Sequence, residues 1–134
     1  MNTENNTALR KRILCVEDHR DTCEILALVL RDYEFKYVSS VERALELIEQ
    51  RPFDLYILDN WLPDGSGLDL CKQIRSTDAR VPIIFTSAAG FQSDIENAKH
   101  SGADRYIVKP YEPFSLELVV KELLAREIPS PAES

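Results

Sequence analysis

The sequence predicts an α/β fold, a parallel five-stranded sheet with helices on both faces. Five apolar, strand-like runs alternate with helix-patterned segments, a (βα)5 order that implies right-handed crossovers. The run RILCV (12–16) is continuously apolar, as a strand covered on both faces would be. The length of 134 residues suits one compact domain with one hydrophobic core.

After RILCV, a helical stretch over 19–32 carries Cys23, Leu26 and Leu30 on one face. FKYVS (35–39) is a second, more polar strand, placed nearer an edge. Ser39 with Glu42 forms a capping-box pattern, followed by Val41, Ala44, Leu45 and Ile48 at helical spacing. DLYILD (54–59) is the third strand, and Ser66 is placed to cap a helix bearing Leu68, Cys71 and Ile74. VPIIFTS (81–87) is the fourth, with Pro82 tolerable only near its start. A weaker helix over Ser93 to His100 closes at Ser101-Gly102. DRYIV (104–108) is the fifth strand, and Pro113 opens a last helix whose Leu116, Val119, Val120 and Leu123 share a face. Residues 1–10 and the Pro/Ser-rich 127–134 are expected to be flexible, flanking a domain over 11–126.

Hydrophobic residues make up 44% and charged residues 29%, a globular balance. No apolar run approaches the roughly 18 residues of a membrane span, and the N-terminus lacks a signal-peptide core. A cytoplasmic location is the expectation. A net charge of −7 argues against sequence-independent attraction to nucleic acid. The basic run Arg10-Lys11-Arg12 reads as a solvated edge. Cys15, Cys23 and Cys71 have no metal-type spacing and read as buried thiols.

In open α/β sheets the ligand site lies outside the carboxyl ends of the strands. Those ends carry Glu17-Asp18, Asp59, Thr86-Ser87 and Lys109-Pro110. Each has a bland reading alone: a helix cap, a turn residue, a surface charge. Together they place three acids, a hydroxyl and an ammonium on one rim. Carboxylates so close repel one another. A hard divalent cation resolves this, since Mg²⁺ takes oxygen ligands, one or two carboxylates among them, and phosphate oxygens. Asp59 would then be a nucleophile towards a phosphoryl group, with Lys109 and Ser87 meeting the transferred oxygens.

These motifs, VEDH, LDNWLPDGSG, IIFTSA and IVKPY, resemble the receiver domains of bacterial two-component response regulators over about residues 11–126. The resemblance implies a flavodoxin-like three-layer sandwich with strand order 2-1-3-4-5, an order inherited from the chemotaxis member of that family. It assigns Asp59 as phospho-acceptor. Glu17 and Asp18 match the acidic pair around Mg²⁺ (or Mn²⁺), with the main-chain carbonyl of Trp61 as third protein ligand. Ser87 matches the switch hydroxyl, with Thr86 the competing choice, and Lys109 matches the phosphate-contacting lysine. Lys109-Pro110 is expected to be cis, and Tyr106 matches the aromatic that moves with the hydroxyl. Glu17 stands where an aspartate is more usual and Ser87 where a threonine is commoner. Trp61 and Ala89 occupy positions that tune water access to an acyl phosphate.

The function so implied is a signalling switch, not an enzyme with a metabolite substrate. It would take a phosphoryl group from a histidine kinase or phosphotransfer protein and signal through protein contacts or a phosphorelay, as monomer or homodimer. The alternative is a receiver-like adaptor that is never phosphorylated. A haloacid dehalogenase-like phosphohydrolase would need a second Asp where Trp61 stands. A flavin carrier would need a phosphate loop after the first strand, where Glu17-Asp18 would repel it. His19 reads as a partly exposed polar residue, with pocket tuning as its other reading, and His100 as a helix-end charge. Trp61 and Tyr111 are expected to be partly exposed near the site, with core packing or a loop plug as the equal alternative. Phe85, Phe91 and Phe114 read as core.

Overall fold

The computed structural model describes residues 10–126, and the expectations for 1–9 and 127–134 lie outside them. The elements are β1 (Arg12–Val16), α1 (Arg20–Val29), β2 (Glu34–Val38), α2 (Val41–Gln50), β3 (Leu55–Asp59), β4 (Trp61–Leu62), β5 (Gly65–Ser66), α3 (Gly67–Thr77), β6 (Ile83–Ser87), α4 (Gln92–Ser101), β7 (Arg105–Val108) and α5 (Pro113–Ala125). Five strands form one sheet in the order β2-β1-β3-β6-β7, parallel throughout. Counting these strands alone, this is the expected 2-1-3-4-5. β4 and β5 form a separate antiparallel hairpin between β3 and α3.

The period of two along each strand sorts side chains onto two faces. Leu14, Val16, Tyr56, Leu58, Ile83 and Phe85 pack beneath α2, α3 and α4 with Ala44, Leu70, Cys71, Ile74 and Ala98. Ile13, Cys15, Leu55, Ile57 and Ile84 pack under α1 and α5 with Leu26, Leu30, Leu116, Val120 and Leu123. Burial on both faces is why β1, β3 and β6 read as unbroken apolar runs. β2 lies at the edge and is only partly buried, as its polar sequence indicated. All three cysteines are buried free thiols. Among the described residues, no helix is long and apolar enough to cross a membrane.

Several local expectations need correction. The cap of α2 is Ser40, not Ser39: its Oγ accepts the Arg43 N–H at 3.2 Å. Arg12 is not a solvated charge. It is 7% exposed, 2.6 Å from Glu34, 4.1 Å above the Phe53 ring, and donates to the carbonyls of Arg51 and Pro52. Arg10, too, is engaged, donating to the carbonyls of Arg31, Asp32 and Tyr33. Phe85 is core, but Phe91 and Phe114 are 79% and 62% exposed. Phe91 precedes α4 on a loop, and Phe114 falls on the side of α5 away from Leu116 and Val120, so neither can reach the sheet. The stop after α4 is confirmed: Gly102 takes φ 113°, and a Cβ there would also meet Arg75 Cγ at 2.6 Å.

Candidate functional site

Parallel register brings the strand ends together. Asp59 pairs with Thr86 and Ser87 with Val108, while Val16, just before Glu17, lies opposite Leu58. Glu17, Asp18 and Asp59 consequently offer oxygens within 4.8 Å of one another. Glu17 and Asp59 are 3% and 6% exposed, and Asp18 stands open to solvent. Glu17 is fixed from two sides: Oε2 accepts the His19 N–H at 3.1 Å and Oε1 accepts from Lys109 Nζ at 2.7 Å. Lys109 also lies 3.2 Å from Asp59 Oδ1. The Lys109-Pro110 peptide is cis.

Burial and, secondly, the charge of Glu17 raise the pKa of Asp59 to about 6, against the pull of Lys109. Burial alone would lower the pKa of Lys109, but its hydrogen bond to Glu17 and the charges of both acids raise it. Three carboxyl groups therefore face one firmly protonated ammonium. The donors are all oxygen, two rigidly held and one free to adjust, and the charge excess is negative. That set fits a hard divalent cation such as Mg²⁺.

The two hydroxyls on β6 differ. Thr86 Oγ1 donates inward to the Leu58 carbonyl at 3.5 Å. Ser87 Oγ accepts the Ala89 N–H at 3.1 Å, and its carbonyl accepts the Lys109 N–H at 2.8 Å. The Tyr106 hydroxyl donates to the carbonyl of the same Ala89, and its ring stacks on Phe85 at 5.7 Å between centroids. Ser87 and Tyr106 are thus joined through one residue of the loop leading to α4. Phe85 and Tyr106 pair across β6 and β7, which explains the stacking.

Beside the acids opens a cleft of about 540 Å³, whose walls include His19, Ile25, Leu26, Pro110, Tyr111 and Pro113. Burial raises the Tyr111 phenol well above its usual pKa. His19 is the N-cap of α1, its Nδ1 accepting the Thr22 N–H at 3.3 Å. Trp61 is 69% exposed. Tyr111, by contrast, is half-buried. His100 is exposed in the last turn of α4.

Three features escaped the sequence reading. A Cβ on Gly67 would sit 2.2 Å from the Asp59 carbonyl oxygen, so α3 begins against the backbone of Asp59. Asp64 binds the N-terminus of α2. Ile25, Leu28 and Phe114, at 47%, 67% and 62% exposure, line one groove between α1 and α5. The D-G-S-G spelling signals a turn and a cap but not which distant backbone it will touch.

A parallel five-stranded sheet with an acid cluster and a lysine at its carboxyl edge is the arrangement expected of a receiver-type signalling domain. Comparison with known proteins is specific: residues 13–121 match the response regulator receiver domain family, and the chain belongs to it. The DNA-binding response regulator MtrA of Mycobacterium tuberculosis is 35% identical over 127 residues, 93% of this chain and 55% of that protein. The regulatory protein VanR of Enterococcus faecium is 37% identical over 118 residues, covering 86% of this chain and 50% of VanR. The chain thus spans about half the length of these relatives. A crystal structure of a putative response regulator from Chloroflexus aurantiacus superposes with TM-score 0.81 at 36% identity, covering 87% of this chain and 99% of that one. This chain is a receiver domain of the two-component type, a signalling switch rather than an enzyme with a metabolite substrate.

Proposed function

We propose that Asp59 accepts a phosphoryl group from a phosphohistidine on a sensor kinase or histidine phosphotransfer protein, in the cytoplasm, with Mg²⁺ (or Mn²⁺) as cofactor. The observation that carries this reading is Lys109 Nζ held between two buried acids, 2.7 Å from Glu17 and 3.2 Å from Asp59. Glu17, Asp18, Asp59 and the Trp61 carbonyl would hold the cation. When bound, it supplies positive charge against the developing charge on phosphoryl oxygens.

An oxygen of ionised Asp59 attacks phosphorus, the P–N bond breaks, and the imidazole leaves with a proton from solvent. Lys109 is placed to leave its bridge between the acids and meet one transferred oxygen. Ser87 would meet another by giving up the Ala89 N–H. Because Tyr106 holds the Ala89 carbonyl, that movement reaches β7 and the loop before α4 and shifts their population. Self-catalysed phosphorylation and hydrolysis follow from the same groups. The apolar groove along α1 and α5, continuous with the cleft at Ile25, suits the docking of a helical phosphodonor. Output would pass through protein contacts or onward phosphotransfer rather than through nucleic acid or membrane contacts of this domain.

The test is intact mass after incubation with acetyl phosphate, with and without Mg²⁺. Gain of one phosphoryl group only with Mg²⁺, lost in Asp59→Asn, is expected. Labelling that persists in Asp59→Asn would remove Asp59 as acceptor. No gain by the folded, Mg²⁺-bound chain would favour a phosphorylation-independent adaptor.

A further inference from the structure

The hairpin after the acceptor strand is tied to the fold by a residue that the phosphoryl chemistry does not use. Asp64, between β4 and β5, accepts the Val41 N–H at 2.8 Å on Oδ1 and the Glu42 N–H at 3.0 Å on Oδ2. These are the first two residues of α2, whose opening N–H groups have no partner within the helix. Ser40 Oγ takes the next, that of Arg43. One local hydroxyl and one carboxylate from 23 residues away therefore complete the cap. The carboxylate also places negative charge at the positive end of the helix. The two N–H donors hold its pKa below the usual carboxylate range.

The approach is close. A Cβ on Gly65 would lie 3.3 Å from Val41 Cγ2, tighter than an ordinary contact. At its base the hairpin grows from the acceptor: the Asn60 N–H donates to Thr86 O at 3.1 Å, and the Gly67 N–H to Asn60 O at 2.9 Å. Trp61 lies between these two anchorages, in a ladder of only two residue pairs, Trp61 with Ser66 and Leu62 with Gly65. Such a ladder has little stability of its own.

We propose that Asp64 is a positioning residue of the cation site, clamping the β4–β5 hairpin to the N-terminus of α2 so that the Trp61 carbonyl is held beside the acid cluster. The inference rests on the reading of Glu17, Asp18, Asp59 and the Trp61 carbonyl as cation ligands. Groups behind metal ligands set affinity by orienting them before the ion arrives, and their loss costs on the order of 10–100-fold.

The test uses the full chain with Asp64→Ala, Asp64→Asn and Ser40→Ala. Ser40→Ala removes the other half of the same cap without touching the hairpin, and so controls for lost helix stability. Trp61 is the sole tryptophan, so its emission anisotropy in metal-free protein reads hairpin order. Mg²⁺ affinity is measured by calorimetry with MgCl₂. Asp64→Ala is expected to lower the anisotropy and weaken Mg²⁺ binding about tenfold. Asp64→Asn recovers part of both, because its carboxamide oxygen still accepts an N–H, and Ser40→Ala changes neither. Wild-type affinity in Asp64→Ala, or equal losses in Asp64→Ala and Ser40→Ala, overturns the proposal. If Asp64→Ala does not fold, wild-type affinity and anisotropy in Asp64→Asn overturn it. A wild-type chain that binds no Mg²⁺ overturns the cation-site reading itself, and this proposal with it.

Discussion

Lys109 lies closer to Glu17, at 2.7 Å, than to Asp59, at 3.2 Å, so its ammonium is primarily the counter-charge of the acid on β1's end. Glu17 is almost fully buried and Lys109 only partly. Removing a partner from a buried pair leaves an uncompensated charge, which is costlier than the pair itself. Lys109→Ala should therefore melt well below wild type in chelator. Added Mg²⁺ should restore most of the loss, since the cation takes over the neutralising role. The same variant should phosphorylate at least tenfold more slowly, because the ammonium that would meet a transferred oxygen is gone. Melting curves with and without Mg²⁺, beside acetyl phosphate kinetics, separate the two effects.

Asp59 gives a pH dependence of definite sign. Its folded pKa is raised from 3.8 to about 6, first by burial and then by Glu17. The folded state therefore binds the extra proton between those values, and the stability this group contributes falls as pH rises through about 6. In chelator the melting temperature should decline from pH 4.5 to roughly 7, and Asp59→Asn should flatten that slope and raise stability at neutral pH by roughly 1–3 kcal/mol. Mg²⁺ binding should show the converse, weakening as pH falls below about 6 while the acid protonates. A slope in chelator unchanged by Asp59→Asn would reject this assignment.

Gly67 begins α3 against Asp59, where a Cβ would stand 2.2 Å from the Asp59 carbonyl oxygen and 3.2 Å from Phe85. Backbone on one side and a core ring on the other leave little room to yield. Gly67→Ala should destabilise the fold by roughly 1–3 kcal/mol, the range of an overpacked core site. It should also displace the Asp59 backbone, slowing phosphorylation beyond what instability explains. Urea unfolding gives the first, and phosphorylation kinetics at temperatures where the variant is fully folded give the second.

Ser87 and Tyr106 meet at Ala89, one through its N–H and the other through its carbonyl. Ser87→Ala strips an acceptor from that N–H, and Tyr106→Phe strips a donor from the carbonyl. Because they share a partner, their effects should not add: a double-mutant cycle on stability should give a coupling of about 0.5–1.5 kcal/mol. Ser87→Ala should slow phosphoryl transfer, whereas Tyr106→Phe should leave the rate close to wild type and reduce the change that phosphorylation causes in α4 and β7 amide shifts. Strict additivity would remove Ala89 as the link.

The central strands β1, β3 and β6 were legible because each obeys a rule that its own residues express. Apolar runs mean two covered faces, and acids at their ends mean the carboxyl rim. The cluster of Glu17, Asp18 and Asp59 followed from that placement alone. Roles that depend on distant backbone were not legible. The Ser39–Glu42 spacing suggested a capping box, but Ser40 caps Arg43 and the first two N–H groups of α2 go to Asp64, a residue of another segment that the local spelling cannot announce. Phe91 and Phe114 looked like core because hydrophobicity does not say which side of a turn or helix faces the sheet. Arg12 looked like a solvated charge because its partners, Glu34, the Phe53 ring and the carbonyls of Arg51 and Pro52, come from two later segments.

Arg75 extends the same lesson to the end of the molecule away from the acid cluster. From the last turn of α3 it donates to the carbonyls of Gly102 at 2.9 Å and Val81 at 2.6 Å, and to Asp104 Oδ2 at 2.9 Å. Asp104 Oδ2 in turn accepts the Ile83 N–H at 2.9 Å. One guanidinium thus joins α3, the start of β6 and the turn from α4 into β7. Arg75→Ala leaves part-buried carbonyls and a carboxylate short of a donor, so a loss of about 2–4 kcal/mol is expected. Arg75→Lys should recover little of it, because a single ammonium cannot reach partners that the planar fork spans. None of these groups touches the acid cluster. Phosphorylation and Mg²⁺ affinity of the folded variant should accordingly match wild type, and a change in either at temperatures well below its melting point would mean that the two ends of the sheet are coupled.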